Sequence, residues 1–185
     1  MIDYPVPLVG FCAYSGTGKT TLLKKLLPVL KSTGLRIGVL KHAHHGFDID
    51  HPGKDSHDLR HAGAEQTVIA SGKRLAWIKE RQTIDNEPDL AEALSILNAD
   101  ELDLVLVEGF KRDPFPKIEL HRPALGKPLL FPHDGNIIAI ALDAPLQETP
   151  ATIPCLDLND IEAMVRFICD NILHTPKLKL HTGNS

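Results

Sequence analysis

The sequence predicts an α/β protein: a mostly parallel, twisted sheet flanked by helices, with an antiparallel hairpin. Three observations predict this fold class. Nearly continuous apolar runs at residues 8–13, 102–109 and 136–143 are typical of strands buried on both faces of a parallel sheet. Helical patterns lie between such runs, as the crossovers of parallel strands require. A glycine-rich loop joins the first apolar run to the first helical pattern.

That loop has the pattern of a phosphate-binding P-loop, which makes the predicted architecture the P-loop NTPase fold. It reads Ala13-Tyr14-Ser15-Gly16-Thr17-Gly18-Lys19-Thr20-Thr21. Small residues let successive backbone N–H groups point into one concavity around a phosphate, and the following helix adds partial positive charge. Lys19 would reach the β- and γ-phosphates, and the Thr20 hydroxyl would ligate Mg²⁺. The alternative is a turn that only joins a strand to a helix.

The loop departs from G-x-x-x-x-G-K-[ST] at its first position, where Ala13 replaces glycine. Alanine is the next smallest residue, so close packing survives there. Strain would arise only if this position needs a positive φ, which glycine alone adopts cheaply. The backbone conformation of Ala13 therefore decides whether the departure matters.

Length, charge and cysteine content limit the class of protein. The 185 residues fit a single domain, which we expect over 1–173, followed by a flexible polar tail at 174–185. A formal net charge of -4 gives no global basic field, so we expect no nucleic-acid partner. No apolar run approaches the roughly 20 residues of a membrane span, and the N-terminus lacks the basic region of a signal peptide. We expect a cytoplasmic protein with no membrane partner.

The three cysteines suggest neither a disulfide framework nor a zinc site. Cys12, Cys155 and Cys169 lie far apart in the sequence and form no C-x-x-C pair. We expect them to be small buried hydrophobic residues.

The first elements in chain order form a β-loop-α-β unit. Leucines recur at helical spacing over residues 22–30, although Pro28 should kink or locally break this helix. Gly34 is a candidate C-cap, and residues 36–40 form the second strand. Lys41 and His42 would then emerge at the carboxyl end of that strand, where open α/β sheets bind ligands.

The next stretch is rich in histidine and leaves two interpretations open. Residues 42–61 contain six of the ten histidines: His42, His44, His45, His51, His57 and His61. Such a tract can bind a transition metal, but a defined site needs fixed ligands with supporting hydrogen bonds. Alternatively, it is a polar loop that leads into a helix from Asp55 or Ser56 to about Gly63.

A hairpin and a short helix follow. Residues 66–70 and 75–79 are two strand-like runs joined by a turn that contains Gly72, which predicts a hairpin and a mixed sheet. Apolar residues at helical spacing then predict a helix over 89–97.

The apolar run at 102–109 has the form of a Walker B strand. Glu108 is the carboxylate at its carboxyl end, where it would hold Mg²⁺, and Gly109 would let the backbone approach the γ-phosphate. Asp103 lies near the entry of the strand. Alternatively, Glu108 simply ends a strand. Lys111 and Arg112 follow directly, beside the expected phosphate site.

The last third contains an irregular region, a buried strand and a final helix. Residues 113–134 are rich in proline and enclose a short strand at 117–120. The run at 136–143 ends in Asp143, whose carboxylate could accept two hydrogen bonds from guanine, although the usual Asn-Lys-x-Asp signature is absent. Asp157 should open the final helix.

Four segments together resemble the MobB family of molybdopterin-guanine dinucleotide biosynthesis adapter proteins. They are the P-loop, the histidine-containing stretch 41–45, residues 52–56 and the stretch 107–111. The resemblance implies a homodimeric, P-loop GTP-binding protein with weak GTPase activity. Its partners would be the guanylyltransferase of the molybdenum cofactor pathway, molybdopterin-containing species and molybdoenzymes.

The same resemblance implies the site residues. The nucleotide would contact Ser15, Gly16, Thr17, Gly18, Lys19, Thr20 and Thr21. The Mg²⁺ that accompanies GTP would contact Thr20, with Glu108 in the Walker B role and Asp55 as a further candidate.

Hydrolysis is expected to be slow. Fast GTP hydrolysis needs a residue that orients the attacking water and usually an arginine that neutralises the transition state. No glutamine follows Glu108-Gly109, and the sequence does not fix a position for the candidate arginines Arg60 and Arg112.

Two other functions stay open at this point. One is a P-loop small-molecule kinase or an ATP-dependent ligase resembling dethiobiotin synthetase. A kinase lid would be rich in arginine, whereas residues 113–134 contain only Arg122. The other is a metallochaperone GTPase that uses the histidine tract.

Overall fold

The structure, a computed structural model, describes residues 2–43, 46–81, 87–146 and 150–173. The chain divides into two units: Met1–His42 with Asp89–Ser185 form the first, and Ala43–Pro88 form the second. The single domain over 1–173 stays a prediction. The predicted tail at 174–185 lies outside the described residues.

A six-stranded sheet forms the centre of the first unit. In chain order, the strands of the protein are β1 Leu8–Cys12, β2 Ile37–Lys41, β3 Gln66–Ala70, β4 Leu75–Lys79, β5 Leu104–Glu108, β6 Lys117–His121, β7 Ile137–Leu142 and β8 Cys155–Asp157. The order across this sheet is β2-β5-β1-β6-β7-β8, and each neighbouring pair is parallel. This confirms the predicted mostly parallel α/β architecture and places β1 next to the centre.

Helices cover both faces of the sheet. The helices are α1 Lys19–Ser32, α2 Asp55–His61, α3 Leu90–Leu94 and α4 Ile161–Asn171. Leucines of α1 and apolar residues of α4 pack on one face against side chains of β1, β5, β6 and β7. Leu90 and Leu94 of α3 pack on the other face with Phe115. The first unit is therefore a three-layer structure whose apolar strands are buried as their composition predicts.

Helix α1 continues through Pro28, so the predicted break is wrong. Proline lacks the N–H that would bond to the preceding turn, and its ring crowds the carbonyl four residues earlier. Pro28 is exposed, while Leu26 and Leu30 are fully buried against the sheet. The buried apolar face therefore outweighs the lost hydrogen bond. Gly34 follows the helix with a φ of +89° and donates to the Lys31 carbonyl at 3.0 Å, which confirms its capping role.

The hairpin β3–β4 has its predicted bounds but forms a separate two-stranded sheet, so the predicted mixed sheet is wrong. Its two strands pair antiparallel, from Gln66 with Lys79 to Ala70 with Leu75. No residue of either strand is buried, whereas strands inside the six-stranded sheet are buried almost throughout. The hairpin therefore lacks the burial on both faces that is typical of strands in a parallel sheet.

The C-terminal elements differ from the prediction at Asp157. This residue ends β8, and α4 begins at Ile161 after the N-cap Asp160, whose carboxylate accepts from the Ala163 N–H at 2.8 Å. Strand β8 has only three residues and was not predicted. Because β8 is the edge strand, Cys155 is exposed, whereas Cys12 and Cys169 are buried as expected.

Among the described helices, none combines the length and the apolar character that crossing a membrane requires.

Candidate nucleotide-binding site

The carboxyl ends of the parallel strands bring the candidate site residues of the first unit to one edge of the sheet. The register pairs Phe11 of β1 with Glu108 of β5, and Glu108 with Lys41 of β2. On the other side of β1, the strand β6 ends at His121, which pairs with Leu142 of β7. The P-loop, which follows β1, is therefore flanked by polar residues from both sides. Ligands of open α/β sheets bind at this edge.

The P-loop backbone turns tightly and uses its glycines where a positive φ occurs. Gly16 and Gly18 have φ values of +81° and +99°, which side chains rarely permit. The buried Thr17 donates from its hydroxyl to the Tyr14 carbonyl at 2.7 Å. Lys19 donates from Nζ to the Ala13 carbonyl at 3.4 Å. These bonds fold the side chains of the loop back onto its own backbone.

Ala13 is compatible with the loop without strain. It is fully buried, and Phe110 is the only non-glycine with positive φ among the described residues. The position therefore has ordinary backbone geometry and needs a small side chain rather than glycine itself.

The charge of Lys19 fits an anionic ligand. Burial lowers the pKa of Lys19 below its ordinary value, and the positive charge of Lys111 lowers it further. A bound polyphosphate would offset both causes. Ser15, Thr20 and Thr21 are exposed, so their side chains are accessible to a ligand. The donor set of the loop therefore fits a nucleotide phosphate, and the assignment of its individual contacts stays a prediction.

Glu108 ends β5 with a largely buried side chain. Its Oε2 lies 4.0 Å from the Nζ of Lys41, a long ion pair that leaves carboxylate lone pairs for a cation such as Mg²⁺. A Cβ added to Gly109 would lie 2.4 Å from the Cβ of His42, and Gly109 has a φ of +101°. Gly109 is thus required by the close approach of His42, a neighbour that the sequence did not predict. The ring of Phe110 lies 5.0 Å from that of His42.

Arg122 is a further candidate site residue, which the sequence analysis did not single out. Its Nε donates to the Thr17 carbonyl in the P-loop at 2.8 Å, and its Nη1 pairs with Oδ2 of Asp143. Asp143 follows β7 as predicted. The available signal was position, because Arg122 directly follows β6 at the edge where Lys41 and Glu108 also emerge.

Asp55 belongs to the second unit, where it is the exposed first residue of α2. Its predicted contact with Mg²⁺ stays a prediction.

The histidine tract is divided between the units. His42 lies in the first unit, and His57 and His61 lie on α2 with ring centroids 4.1 Å apart. Within the described residues, no group of three potential ligands is positioned to hold a metal ion. His44 and His45 lie outside those residues.

Arg60, a candidate for transition-state stabilisation, is engaged within the second unit. Its guanidinium donates to Asp48, Asp50 and Glu80 at 2.8, 2.7 and 2.7 Å. Its hydrogen bond also holds the pKa of Asp50 below the ordinary value. This cluster joins α2 to the preceding loop and to the end of the hairpin.

A comparison with protein-family models identifies the chain. The model of Molybdopterin guanine dinucleotide synthesis protein B, MobB, matches residues 8–143, from the first residue of β1 to Asp143. The chain belongs to the MobB family. Membership favours the adapter interpretation over the kinase, ligase and metallochaperone alternatives.

Individual relatives agree with the MobB assignment over nearly the whole chain. The molybdopterin-guanine dinucleotide biosynthesis adapter protein of Escherichia coli is 46% identical over 166 residues, which are 89% of this chain and 93% of the relative. The protein of the same name from Haemophilus influenzae is 42% identical over 91% of this chain and 90% of its own length. The crystal structure of Bacillus subtilis MobB superposes with a TM-score of 0.68 at 27% identity, covering 90% of this chain and 98% of that one. The P-loop NTPase fold is thus confirmed.

Proposed function

We propose that this protein is a GTP-binding adapter with weak intrinsic GTPase activity in molybdopterin-guanine dinucleotide biosynthesis. One observation carries the proposal: a P-loop with a partly buried lysine lies at the carboxyl edge of the sheet beside Glu108, in a chain of the MobB family. Adapter is the function that the names of its relatives give.

The roles of the residues follow from the loop. Backbone N–H groups from Gly16 to Thr20 hold the phosphates, and Lys19 supplies the positive charge. Thr20 and Glu108 would hold Mg²⁺, which would neutralise charge on the phosphates. The lowered pKa of Lys19 supports this arrangement, because phosphate would restore an environment that favours its charged form.

Turnover is proposed to be slow because the sequence shows no residue that would orient the attacking water and no arginine assigned to the transition state. No glutamine follows Glu108-Gly109, and Arg60 is occupied by three carboxylates. An arginine that neutralises the transition state accelerates hydrolysis by roughly 10³–10⁵-fold. Single-turnover hydrolysis by the isolated protein should therefore be slow; a fast rate would contradict this part of the proposal.

Calorimetry tests the ligand class. Mg-GTP should bind wild-type protein more tightly than Mg-ATP, because the proposal is for a guanine nucleotide. Equal affinities for the two nucleotides would contradict guanine selectivity while leaving nucleotide binding intact.

The proposed partners are the guanylyltransferase of the molybdenum cofactor pathway, molybdopterin-containing species and molybdoenzymes. The protein can be immobilised and exposed to extract from molybdenum-replete cells, with and without GTP. Wild-type protein should retain a nucleotidyltransferase or a molybdoenzyme, and Lys19→Ala should lose any GTP-dependent part of that retention. Retention of neither class under any condition would contradict the adapter role.

A homodimer is also proposed, and the second unit supports it. The described residues of that unit include no buried apolar side chain, but they include five large exposed ones: Phe47, Ile49, Leu59, Val68 and Leu75. A hairpin and a short helix with so little apolar burial gain stability when another surface covers them. We propose that a second copy of the chain does so.

Sedimentation equilibrium tests the dimer. Leu75→Lys should shift the protein toward monomer, because Leu75 is 72% exposed in the isolated chain and would be desolvated in the dimer. Leu125→Lys is the matched control, since Leu125 is 44% exposed but lies in the first unit. A wild-type protein that stays monomeric at all concentrations would exclude the dimer.

A further inference from the structure

Arg122 connects the P-loop to Asp143, and neither contact is explained by the proposed roles of the loop residues. Its Nε donates to the Thr17 carbonyl at 2.8 Å, and its Nη1 pairs with Oδ2 of Asp143. Its Nη2 lies over Gly18, where an added Cβ would be 3.6 Å away. One side chain therefore touches the loop and holds a carboxylate that directly follows a different strand, β7.

The strand register makes this contact a consequence of the sheet. Strands β6 and β7 pair His121 with Leu142, so the next residues, Arg122 and Asp143, emerge side by side. Strand β6 also pairs with β1, the strand that leads into the P-loop. Arg122 thus emerges between the loop and Asp143.

The bond to the Thr17 carbonyl constrains the next N–H group. A trans peptide is planar, so its C=O and N–H point in opposite directions. When Arg122 holds the Thr17 carbonyl on one side, the Gly18 N–H must point to the other. In a P-loop, successive N–H groups face the phosphate and carbonyls face away. Arg122 therefore fixes the orientation of a peptide whose N–H is needed for the anion.

Asp143 has the geometry of a group that serves Arg122. Its Oδ2 is engaged by the guanidinium, and its Oδ1 is buried without a hydrogen-bond partner among the described residues. Reading guanine would need both oxygens to accept from the base. A buried Oδ1 and an occupied Oδ2 leave no such face, but their charge stabilises and orients the neighbouring guanidinium.

We propose that Arg122 is a positioning residue for polyphosphate binding and that Asp143 acts through Arg122 rather than by reading the base. The inference rests on the proposed nucleotide-binding function. It assigns the pair to recognition of the phosphate chain, common to all nucleoside triphosphates, and removes Asp143 from guanine selection.

A double-mutant cycle tests this inference. Arg122→Gln, Asp143→Asn and the double variant are titrated with Mg-GTP, Mg-XTP and Mg-tripolyphosphate, which has neither base nor sugar. Loss of one charge-assisted hydrogen bond weakens binding about tenfold. We expect Arg122→Gln to bind all three ligands about tenfold more weakly than wild type. We expect a smaller loss of affinity in Asp143→Asn. The double variant should bind like Arg122→Gln alone, because both changes remove the same interaction.

Two readouts separate positioning from a merely structural role. The ratio of GTP to XTP affinity should stay unchanged in Asp143→Asn, whereas a base-reading residue would shift it toward XTP. The amide resonance of Gly18 should move in Arg122→Gln before any ligand is added. If Arg122→Gln does not fold, Arg122→Lys replaces it, since lysine keeps the charge but lacks the fork that reaches both partners. Its affinity should fall for tripolyphosphate as well.

The pair at the opposite edge of the sheet provides the control. Arg36 pairs with Asp103 at 2.7 Å, just before β2 and β5 begin. Arg36→Gln removes the same chemical pair and should leave all three affinities at wild-type values.

The outcomes distinguish the inference from the function on which it rests. If wild-type protein binds none of the three ligands, the proposed function fails. If wild-type protein binds and Lys19→Ala does not, but Arg122→Gln binds tripolyphosphate normally, the inference alone is wrong. A gain of XTP preference in Asp143→Asn, or multiplicative losses in the double variant, would also overturn it.

Discussion

Two arginine–aspartate pairs lie at opposite edges of the same sheet and differ in how the guanidinium is used. Arg36 donates from Nε and Nη2 to both oxygens of Asp103, at 3.1 and 2.7 Å. Arg122 gives Asp143 one bond and uses its Nε for the P-loop carbonyl of Thr17. The Arg36 guanidinium binds a single carboxylate and so joins the starts of two strands. The Arg122 guanidinium binds a carboxylate and a loop carbonyl, so the position of Asp143 affects the position of the loop.

The surroundings of the two pairs agree with this difference. Arg36 also donates from Nη1 to the Asp100 carbonyl at 2.9 Å, so all of its contacts fix the entries of β2 and β5. Side-chain exposure is 54% and 34% for this pair, against 35% and 22% for Arg122 and Asp143. Solvent screening leaves exposed pairs with little net contribution to stability. We therefore expect substitutions at the amino ends of the strands to change stability slightly. We expect substitutions at the carboxyl ends of the strands to change ligand affinity strongly.

The largest expected effect is the loss of nucleotide affinity on substitution of Lys19, at the carboxyl ends of the strands. Lys19→Ala should weaken Mg-GTP affinity by at least about 100-fold, or about 2.7 kcal/mol, because it removes the charge that faces the phosphates. Isothermal titration calorimetry measures the change. Lys25→Ala, an exposed lysine on the same helix, is the control and should bind normally. Unchanged affinity in Lys19→Ala would show that the nucleotide does not bind at the carboxyl ends of these strands.

The next effect compares how two positions tolerate a single added methyl group: Gly109, directly after β5, and Gly38, within β2. Gly109→Ala should lower the free energy of unfolding by about 2 kcal/mol or more, because the residue has positive φ and its Cβ would collide with that of His42. Gly38→Ala on β2 should cost less, because the added Cβ would meet the flexible end of Leu102 at 2.9 Å. Urea denaturation of both variants provides the measurement. Similar losses of unfolding free energy would show that the two positions are equally constrained.

The smallest effect concerns pH at the amino edge. Hydrogen bonds from Arg36 lower the pKa of Asp103 from 3.8 to about 2. Because the folded-state pKa is the lower one, the pair stabilises the protein above about pH 4, and this contribution is lost as the pH falls toward 2. The difference in urea midpoint between wild type and Asp103→Asn should therefore be small at pH 6 and disappear near pH 2. A difference independent of pH would contradict the ion pair.

Much of the first unit could be predicted because its signals are local. The apolar runs gave β1, β5 and β7 within two residues at each end, and the glycine-rich loop gave the start of α1. What failed depended on tertiary pairing. The three residues of β8 form a strand only because β7 offers an edge, and Pro28 is tolerated only because its helix packs on the sheet.

The candidate site shows the same division. Lys19 and Glu108 could be proposed as site residues because each belongs to a motif of consecutive residues, and their contacts with a nucleotide and Mg²⁺ stay predictions. Arg122 was missed because its contact with Thr17 spans 105 positions and depends on which strand lies next to β1. Asp55, which the family resemblance implies as a further candidate for Mg²⁺, lies in the second unit, and its contact with the metal stays a prediction. A sequence motif specifies the chemistry of a loop, whereas the strand order specifies which side chains surround it.

Ala13 has a consequence for how such proteins are found and how they can change. Searches that demand glycine at the first position of the motif would pass over this chain, although its loop backbone meets the same requirements. Position 13 is constrained by volume, since the residue is fully buried, while positions 16 and 18 are constrained by a positive φ. Glycine and alanine can therefore replace each other at position 13, whereas positions 16 and 18 require glycine. A motif defined by backbone conformation would include more such loops than one defined by residue type.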